Sequence, residues 1–237
     1  MSTKRLVFDI ETIGDDFDSL DKIAQDSLTS WIKKEASNEE EYGASLKDLK
    51  EGLGFSPLTG EIIAIGTLDP DENRGGVYFQ APGEKIEDFT EDGIKYKQMT
   101  EKGMLEQFWQ IAQLYDEFIS FNGREFDGPF LMVRSAYHGI RPTKSLSESR
   151  YPYQQKTCLH IDLIDQLTFQ RNMRKKGSLH LWTSLFGIKS PKGEGITGEE
   201  VGKFFKEKKY LDIARYNARD LFATKELYEK WQKYLSF

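Results

Sequence analysis

The chain contains one cysteine, Cys158, and three histidines among its 237 residues. A single cysteine excludes a disulfide within the chain, and the histidines do not have the spacing of a zinc site. Long hydrophobic runs are also lacking, so no segment has the apolar length that a membrane-spanning helix requires. The opening residues, MSTKRLVFDIET, reach a carboxylate before the apolar core of a signal peptide could form. These features favour a reducing, cytoplasmic location.

The chain also lacks an excess of positive charge, since 33 basic residues stand against 39 acidic ones for a net charge of −6. Such a balance usually counts against nucleic-acid binding, but an enzyme with carboxylates at a metal site can be acidic and still contact phosphates locally. The most basic window, residues 169–192, contains no acidic residue. Its basic residues are Arg171, Arg174, Lys175, Lys176, Lys189 and Lys192. The window is interpreted either as a solvated surface or as a phosphate-contacting segment.

Hydropathy patterns predict one α/β domain over residues 1–237. Apolar runs predict strands at RLVFDI and at residues 60–69 and 75–81, which would form an antiparallel meander. Helix, strand, helix and strand then alternate through EKGMLEQFWQIAQLYD, EFISFNG, DGPFLMVRSAYHGI and CLHIDLID, followed by further helices. This order predicts a mixed sheet with helices on both faces. Residues from about 15 to 56 are predicted to form a helical insertion beside or over the sheet.

Two carboxylates, Asp9 and Glu11, interrupt the first apolar run, LVFDIETIG. Successive side chains of a strand alternate between faces, so Asp9 and Glu11 share one face with Val7, and Phe8 and Ile10 share the other. Neighbouring like charges raise each other's pKa unless a cation offsets them, and Mg²⁺ or Mn²⁺ would bind such oxygen ligands. The alternative is a strand end where both carboxylates meet solvent or cap the next turn.

Two further motifs have both a structural and a chemical interpretation. In FISFNGREFDGPFL, Asp127 follows a predicted strand and opens a predicted helix, so it also fits an N-cap, and Asn122 with Gly123 fits a turn. In YNARD, Tyr216 and Asp220 lie four residues apart, so on a helix a phenol and a carboxylate could converge on one bound water. Exposed helices also carry this pair by chance.

Two other pairs are predicted to be structural. Asp162 and Asp165 in HIDLID follow a strand and could reach the site, but helix capping is the favoured interpretation. Trp182 and Phe186 lie four residues apart among leucines, which favours a place in the core over a base-stacking surface.

Taken together, FDIET, NGREFD and YNARD resemble the motifs of the DEDD superfamily of 3′-5′ exonucleases in its tyrosine branch, DEDDy. The histidine branch would carry His five residues before the last aspartate, where this chain has Arg215. The motifs are most similar to those of the exonuclease domain of family-B DNA polymerases and of stand-alone predicted exonucleases related to it. The resemblance extends over essentially the whole chain, carries little signal at residues 15–56, and leaves no room for a polymerase domain.

This resemblance implies an RNase H-like fold and a metal-dependent 3′-5′ exonuclease that uses two divalent ions, Mg²⁺ or Mn²⁺. It implies that Asp9, Glu11 and Asp220 hold one ion, and that Asp9 and the more distant Asp127 serve the second. Tyr216 would orient the water that attacks the terminal phosphodiester. A phenol is a poor base at neutrality, so this water would be activated by the metal rather than by Tyr216.

The implied substrate is the 3′ end of single-stranded nucleic acid, with DNA favoured over RNA. Asn122 is expected to contact the scissile strand, and the predicted phosphate contacts are Arg171, Arg174, Lys175 and Lys176. One alternative is an exoribonuclease that trims RNA 3′ ends, because the catalytic motifs do not read the 2′-hydroxyl. Another is a non-catalytic module that binds nucleic-acid ends on the same fold.

Overall fold

The computed structural model describes residues 3–189 and 198–236. The strands in these ranges are β1 (Arg5–Gly14), β2 (Gly60–Asp69), β3 (Arg74–Phe79), β4 (Phe89–Glu91), β5 (Ile94–Gln98), β6 (Glu117–Ser120) and β7 (Leu159–Asp162). They form one mixed sheet in the order β4-β5-β3-β2-β1-β6-β7. The first strand therefore lies inside the sheet, between an antiparallel neighbour, β2, and a parallel neighbour, β6.

Helices cover both faces of this sheet. They are α1 (Lys22–Thr29), α2 (Ile32–Glu35), α3 (Glu39–Gly52), α4 (Glu101–Ala112), α5 (Asp127–Tyr137), α6 (Leu163–Leu167), α7 (Leu179–Leu185), α8 (Val201–Lys206) and α9 (Tyr210–Tyr234). Among the described helices, none combines the length and apolar character needed to cross a membrane. The predicted α/β class with helices on both faces is confirmed.

The predicted antiparallel meander is confirmed as β1, β2 and β3, but the β4–β5 hairpin is absent from the prediction. Its turn is formed by Asp92 and Gly93, which have positive φ angles of 49° and 81°. An Asp-Gly pair between strands is a strong hairpin signal, because both central residues of this tight turn require the left-handed region. The signal is present in TEDGIK, but the flanking strands have only three and five residues, so the apolar pattern did not reveal them.

The two faces of β1 pack against different helices. Phe8 and Ile10 belong to the core cluster beneath α4 and α5, whereas Val7 belongs to the cluster that includes residues of α7 and α9. The predicted alternation is therefore confirmed, and it directs Asp9 and Glu11 toward the α9 side of the sheet. Apolar residues on both faces of β1 are buried. Helix α9 places Tyr216 and Asp220 on the same side of the sheet as Asp9 and Glu11.

Helices α1 to α3 occupy the segment that was predicted to be a helical insertion. Helix α3 begins at an Asn38 cap, whose side chain accepts a hydrogen bond from the Glu41 N–H at 2.9 Å. The 3-10 turn that follows α3, Leu53–Phe55, packs on the end of β1, where Thr12 Oγ1 donates to the Gly54 carbonyl at 2.7 Å. A Cβ at Gly14 would lie 2.7 Å from the Gly54 nitrogen. This close contact anchors the end of the α3 segment beside β1.

Candidate active site

Three carboxylates from two distant parts of the chain converge on the α9 side of the sheet. Asp9 and Glu11 come from β1 and Asp220 from α9, and one oxygen of each lies within 4.8 Å of the others. Glu11 and Asp220 are 7% and 8% exposed, so little water screens their charges. The structure thus brings together three of the predicted metal ligands.

Asp127 approaches the same group from the start of α5, the helix that follows β6. It is the first residue of α5 and is 3% exposed, and its Oδ1 accepts a hydrogen bond from the Ile10 N–H at 2.9 Å. The N-cap position of α5 is Phe126, which makes no side-chain cap, so the capping alternative does not describe Asp127. The Asp127 carboxylate lies outside the group of three but is close enough for its charge to raise the pKa of Asp9 and Glu11.

Tyr216 lies on α9 one turn before Asp220, so the phenol and the carboxylate lie on the same side of the helix. The ring is buried in a small core cluster with Ile63, Val201 and Ile213. Burial, followed by the charge of Asp220, raises the phenol pKa, so the hydroxyl remains protonated at neutral pH. The phenol is therefore a hydrogen-bond donor on the same side of α9 as the Asp220 carboxylate.

A sixth polar residue of the site, Asn217, was missed by the sequence analysis. Its side chain is fully buried, and its Nδ2 donates to Asp9 Oδ2 at 2.8 Å. The amide fits because Gly66 of β2 pairs with Asp9 in the sheet, and a Cβ at that position would lie 2.0 Å from Asn217 Oδ1. The available signal was the three-residue spacing of Asn217 and Asp220, which places both on one side of a helix.

The mutual repulsion of these buried carboxylates indicates that a cation would stabilise the site. Burial, then the charges of Asp127 and Asp220, raises the pKa of Asp9, and burial, then Asp220 and Asp127, raises the pKa of Glu11. Burial likewise raises the pKa of Asp127 to about 7. Glu11 Oε1 is buried with no hydrogen-bond partner among the described residues. A buried carboxylate oxygen without a donor, beside further carboxylates, fits a hard divalent ion such as Mg²⁺ or Mn²⁺.

Without divalent ions, the protein is expected to lose stability as the pH rises from 6.5 to 8. The folded-state pKa of Asp127 lies above its ordinary value, so its stabilising contribution is complete at low pH and is lost as the pH rises through about 7. The raised pKa values of Asp9 and Glu11 act in the same direction. Each group that still holds a proton contributes at most about 1.4 kcal/mol per pH unit. His160, buried and neutral with a pKa lowered to about 4, has the opposite effect only below about 6.5.

The measurement is the melting temperature in EDTA and in MgCl₂ at both pH values. The expected result is a lower melting temperature at pH 8 in EDTA and a larger gain from Mg²⁺ at pH 8 than at pH 6.5. A melting temperature in EDTA that is unchanged or higher at pH 8 would contradict the carboxylate repulsion inferred above.

The loop before Asp127 is shaped by a neighbouring carboxylate, that of Asp162. Asn122 has a positive φ of 65°, and its N–H and that of Arg124 donate to Asp162 at 2.9 and 3.0 Å. Asp162 also caps α6 through the Ile164 N–H, so the capping interpretation of this residue is confirmed. Asp165, the second residue of the pair, is engaged by Arg124 and Arg171 at 2.6 and 2.7 Å.

The predicted phosphate-contacting residues differ in their exposure and in the ion pairs that they form. Arg171 is held by Asp165 and Glu125, and Lys176 pairs with Glu125 at 2.8 Å. Arg174 and Lys175 are exposed on the same segment. Lys189 is also exposed, whereas Lys192 lies outside the described residues. Two of the four basic residues thus already take part in ion pairs within the protein.

Trp182 and Phe186 belong to the core, as predicted. Trp182 is 9% exposed and its indole N–H donates to the Lys176 carbonyl at 2.7 Å. Phe186 stacks on it with ring centroids 6.3 Å apart and packs against the same core cluster. Neither ring forms an open platform for a base.

A cleft opens beside Glu11 and has a volume of about 340 Å³. One wall is the second half of β1, and the opposite wall is the C-terminal turn of α3 with the 3-10 turn after it. Phe126, directly before Asp127, completes the lining together with Gly202 of α8 and Gly198 just before that helix. Of the predicted metal ligands, Glu11 faces this cleft directly.

Comparison with known proteins connects this geometry with one family. The sequence profile of a family described as a predicted 3′-5′ exonuclease related to the exonuclease domain of PolB matches residues 80–236. The matched range covers well over half of the chain and contains Asp127, Tyr216 and Asp220, whereas Asp9, Glu11 and α1 to α3 precede it.

Two polymerases are similar to parts or all of the chain. A DNA polymerase of Desulfurococcus sp. (strain Tok) is 28% identical over 140 residues, which cover 54% of this chain and 18% of that polymerase. The structure of the family B DNA polymerase from the hyperthermophilic archaeon Pyrobaculum calidifontis superposes with a TM-score of 0.60 at 16% identity. That superposition covers 98% of this chain and 25% of the polymerase. The chain therefore spans a quarter or less of the length of these polymerases.

Proposed function

Because the chain belongs to the family of predicted 3′-5′ exonucleases related to the exonuclease domain of PolB, we propose that it hydrolyses the terminal phosphodiester of single-stranded DNA from the 3′ end, with two divalent metal ions. The observation that carries the proposal is the convergence of Asp9, Glu11 and Asp220, with a buried Glu11 oxygen that has no hydrogen-bond donor among residues 3–189 and 198–236. The fold supports it as well, since it is that of a family B polymerase exonuclease domain, RNase H-like.

The proposed metal ligands are the four carboxylates that lie beside β1, two from that strand and one each from α5 and α9. Asp9, Glu11 and Asp220 would hold one ion, and Asp9 with Asp127 would serve the second. Divalent ions in such a site neutralise charge on the phosphodiester and yield a nucleophile from water at neutral pH. The contribution of Asn217 is to hold the Asp9 carboxylate in place through the hydrogen bond to Oδ2.

Tyr216 is proposed to orient the attacking water. Its raised pKa leaves the hydroxyl protonated, so the phenol acts as a hydrogen-bonding group rather than as a base. Tyr216→Phe removes this hydroxyl, and we expect the turnover number to fall about 10- to 100-fold with a small change in KM.

Steady-state rates on a labelled single strand measure this effect. Tyr210→Phe on the same helix serves as the control, because its hydroxyl bonds to the Pro82 carbonyl, away from the carboxylates. A Tyr216→Phe enzyme with the turnover number of the wild type would remove Tyr216 from the proposed site.

DNA is the proposed substrate because the similar proteins are DNA polymerases. Asn122 is proposed to contact the scissile strand, since its loop directly precedes Asp127. Arg174 and Lys175, which are exposed, are proposed as phosphate contacts together with Lys176 and Arg171. To bind phosphate, Arg171 and Lys176 would have to release their ion-pair partner Glu125.

The test is digestion of DNA and RNA strands of one sequence, each blocked at its 3′ end or at its 5′ end. The proposal predicts release of mononucleotides from the 5′-blocked strand alone, and faster release from DNA. Faster release from RNA would assign the enzyme to exoribonucleases. Tight binding of ends without any release, with all metals tested, would favour the non-catalytic module.

A further inference from the structure

The loop between β6 and α5, residues 121–126, folds as one unit with the start of the helix that carries Asp127. The Gly123 carbonyl accepts a hydrogen bond from the Gly128 N–H at 2.7 Å, which joins the loop to the first turn of α5. The loop also passes close to the carboxylate, since a Cβ at Gly123 would lie 3.3 Å from Asp127 Oδ2. A shift of this loop therefore moves the Asp127 carboxylate.

The Arg124 side chain ties this loop to a buried carboxylate of α6, Asp165. Asp165 is fully buried, and each of its oxygens accepts a hydrogen bond from a guanidinium: Oδ2 from Arg124 Nε at 2.6 Å and Oδ1 from Arg171 Nε at 2.7 Å. Burial alone would raise the pKa of Asp165, but these two hydrogen bonds hold the pKa below its ordinary value. The carboxylate therefore stays ionised at neutral pH and pairs with both guanidiniums.

The chain adopts a strained conformation where it brings Arg171 back to Asp165. Three consecutive residues, Phe169, Gln170 and Arg171, have positive φ angles of 52°, 58° and 70°, a region that residues other than glycine rarely occupy. The Gln170 N–H donates to the Asp165 carbonyl at 2.7 Å, which closes this left-handed turn onto α6. Backbone strain of this kind persists only where the surrounding contacts fix it, and it is concentrated at functional sites.

A buried cluster of two guanidiniums and one carboxylate contributes little to the stability of a fold. The loss of hydration offsets most of the attraction between the charges, so apolar side chains of similar size are often equally stabilising. Here Nη2 of Arg124 and Nη2 of Arg171 are buried without a hydrogen-bond partner within the part of the chain that the structure describes. The hydrogen-bonded ion pairs do fix the direction of each side chain, because their geometry is specific. The cluster is thus better suited to hold the loop in one position than to stabilise the fold.

We propose that Arg124 is a positioning residue, whose ion pair with Asp165 holds the loop so that the Asp127 carboxylate binds the second metal ion. The inference rests on the proposed exonuclease function. Asp127 depends on its loop for its place, because its carboxylate lies outside the group of three that β1 and α9 bring together. Residues that orient the ligands of a metal typically contribute about 10- to 100-fold to metal affinity or activity.

The test compares Arg124→Gln with a matched control, Arg134→Gln. Arg134 lies on α5 and pairs with the buried Glu101 of α4, on the face of the sheet opposite α9. The Arg124 and Arg134 side chains are both 14% exposed. Each substitution leaves the buried carboxylate with a further hydrogen-bond partner, so both proteins are expected to fold. A general effect of removing a buried arginine is thereby separated from an effect on the metal site.

The first measurement is calorimetric titration with Mn²⁺ in the presence of a deoxynucleoside 5′-monophosphate, the product of the proposed reaction. Arg124→Gln is expected to bind one ion as the wild type does and the second at least about tenfold more weakly. The second measurement is degradation of a labelled single strand. The variant is expected to lose about 10- to 100-fold in kcat with KM for the strand within about threefold, and to recover part of the loss at higher Mn²⁺ concentration. Arg134→Gln is expected to match the wild type in both measurements.

The outcomes separate this role from its alternatives. Wild-type affinity for both ions in Arg124→Gln, or an equal loss in Arg134→Gln, would overturn the positioning role. Binding of a single ion by the wild type would overturn it too, as would a variant with a raised KM but unchanged kcat and ion binding, which would make Arg124 a contact for the strand. Absence of strand degradation by the wild type would instead overturn the proposed exonuclease function.

A second variant covers the case in which Arg124→Gln does not fold. Arg124→Lys keeps a positive charge beside Asp165 but lacks the planar guanidinium, so it is expected to show the same weakening of the second ion at a smaller size. Wild-type ion binding and wild-type kcat in Arg124→Lys would then overturn the positioning role.

Discussion

Asp220→Asn is expected to lower the rate of 3′-end degradation at least about 10³-fold while leaving the protein folded. Asn keeps the shape of the side chain but removes one charge from the group formed by Asp9, Glu11 and Asp220. A divalent ion held by fewer carboxylates binds more weakly and stabilises the developing phosphoryl charge less. In EDTA the same substitution is expected to raise the melting temperature, because the Asp220 charge raises the pKa of Glu11 and thus opposes its ionisation.

The control for this prediction is Asp212→Asn, an exposed acidic residue in the first turn of the same helix. It removes an equal charge from α9 outside the carboxylate group and is expected to leave the degradation rate within about threefold of wild type. Rates on labelled strands and melting curves in EDTA measure both effects. An Asp220→Asn enzyme that degrades strands at near the wild-type rate would contradict its proposed role as a metal ligand.

Gly66→Ala is expected to destabilise the protein by about 3 kcal/mol and to reduce activity strongly, although residue 66 carries no functional group. The added Cβ would lie 2.0 Å from Asn217 Oδ1 and 2.8 Å from Leu221 Cδ1, both on α9. The cost of overpacking a closed interior is about 1–3 kcal/mol, and here the displaced amide also loses its hydrogen bond to Asp9. The substitution therefore acts on the site indirectly, by displacing Asn217 and α9 from β2.

Three further variants, Asn217→Ala, its combination with Gly66→Ala, and Gly43→Ala, separate this clash from a general effect of alanine. Adding Asn217→Ala to Gly66→Ala removes the amide that meets the new Cβ, so the double variant is expected to be more stable than additivity of the single variants predicts. Gly43→Ala, on α3 with no atoms within 4 Å of the new Cβ, is expected to stabilise the protein by up to about 1 kcal/mol. Chemical unfolding curves measure the free energies of unfolding of these three variants and of Gly66→Ala, each compared with the wild type. A Gly66→Ala protein as stable as the wild type would contradict the packing described here.

The fold was predictable from the sequence where the apolar pattern is strong. Alternation along β1 assigned Phe8 and Asp9 to opposite faces, and the structure places them so. The β4–β5 hairpin was not predicted, because β4 has three residues and β5 has five, too few for a clear apolar pattern, although Ile94 and Tyr96 of β5 are buried in the core. The Asp92-Gly93 turn was the remaining signal, and it depends on backbone angles rather than on hydropathy.

For the site, local motifs revealed the residues that bear charge but not those that position them. Asp9 and Glu11 lie two residues apart on one strand, and Asp220 follows Tyr216 by four residues on a helix; the structure brings the three carboxylates together. The roles of Asn217 and Gly66 depend on which residue of β2 lies opposite Asp9 and on how α9 crosses that strand pair. Sequence spacing carries no information on such a register.

The ion pairs of the basic segment show the same limit of sequence patterns. Arg171 and Lys176 stand in a window without acidic residues, which favoured an interpretation as phosphate contacts. In the folded chain, Glu125 lies beside both of them, although it is more than forty residues away in sequence. Local charge density does not reveal which opposite charges the fold will bring to the same place.

The measurement that tests the central proposal most directly is degradation of 5′-labelled single-stranded DNA by the wild type and by Asp9→Ala, each with Mg²⁺, with Mn²⁺ and with EDTA. Asp9 is the carboxylate proposed to serve both ions, and Asn217 holds it in place. The expected result is a ladder that shortens from the 3′ end with the wild type and a divalent ion, and no shortening in EDTA or with Asp9→Ala. Shortening that persists in EDTA, or that Asp9→Ala carries out as fast as the wild type, would contradict a metal-dependent exonuclease centred on these carboxylates.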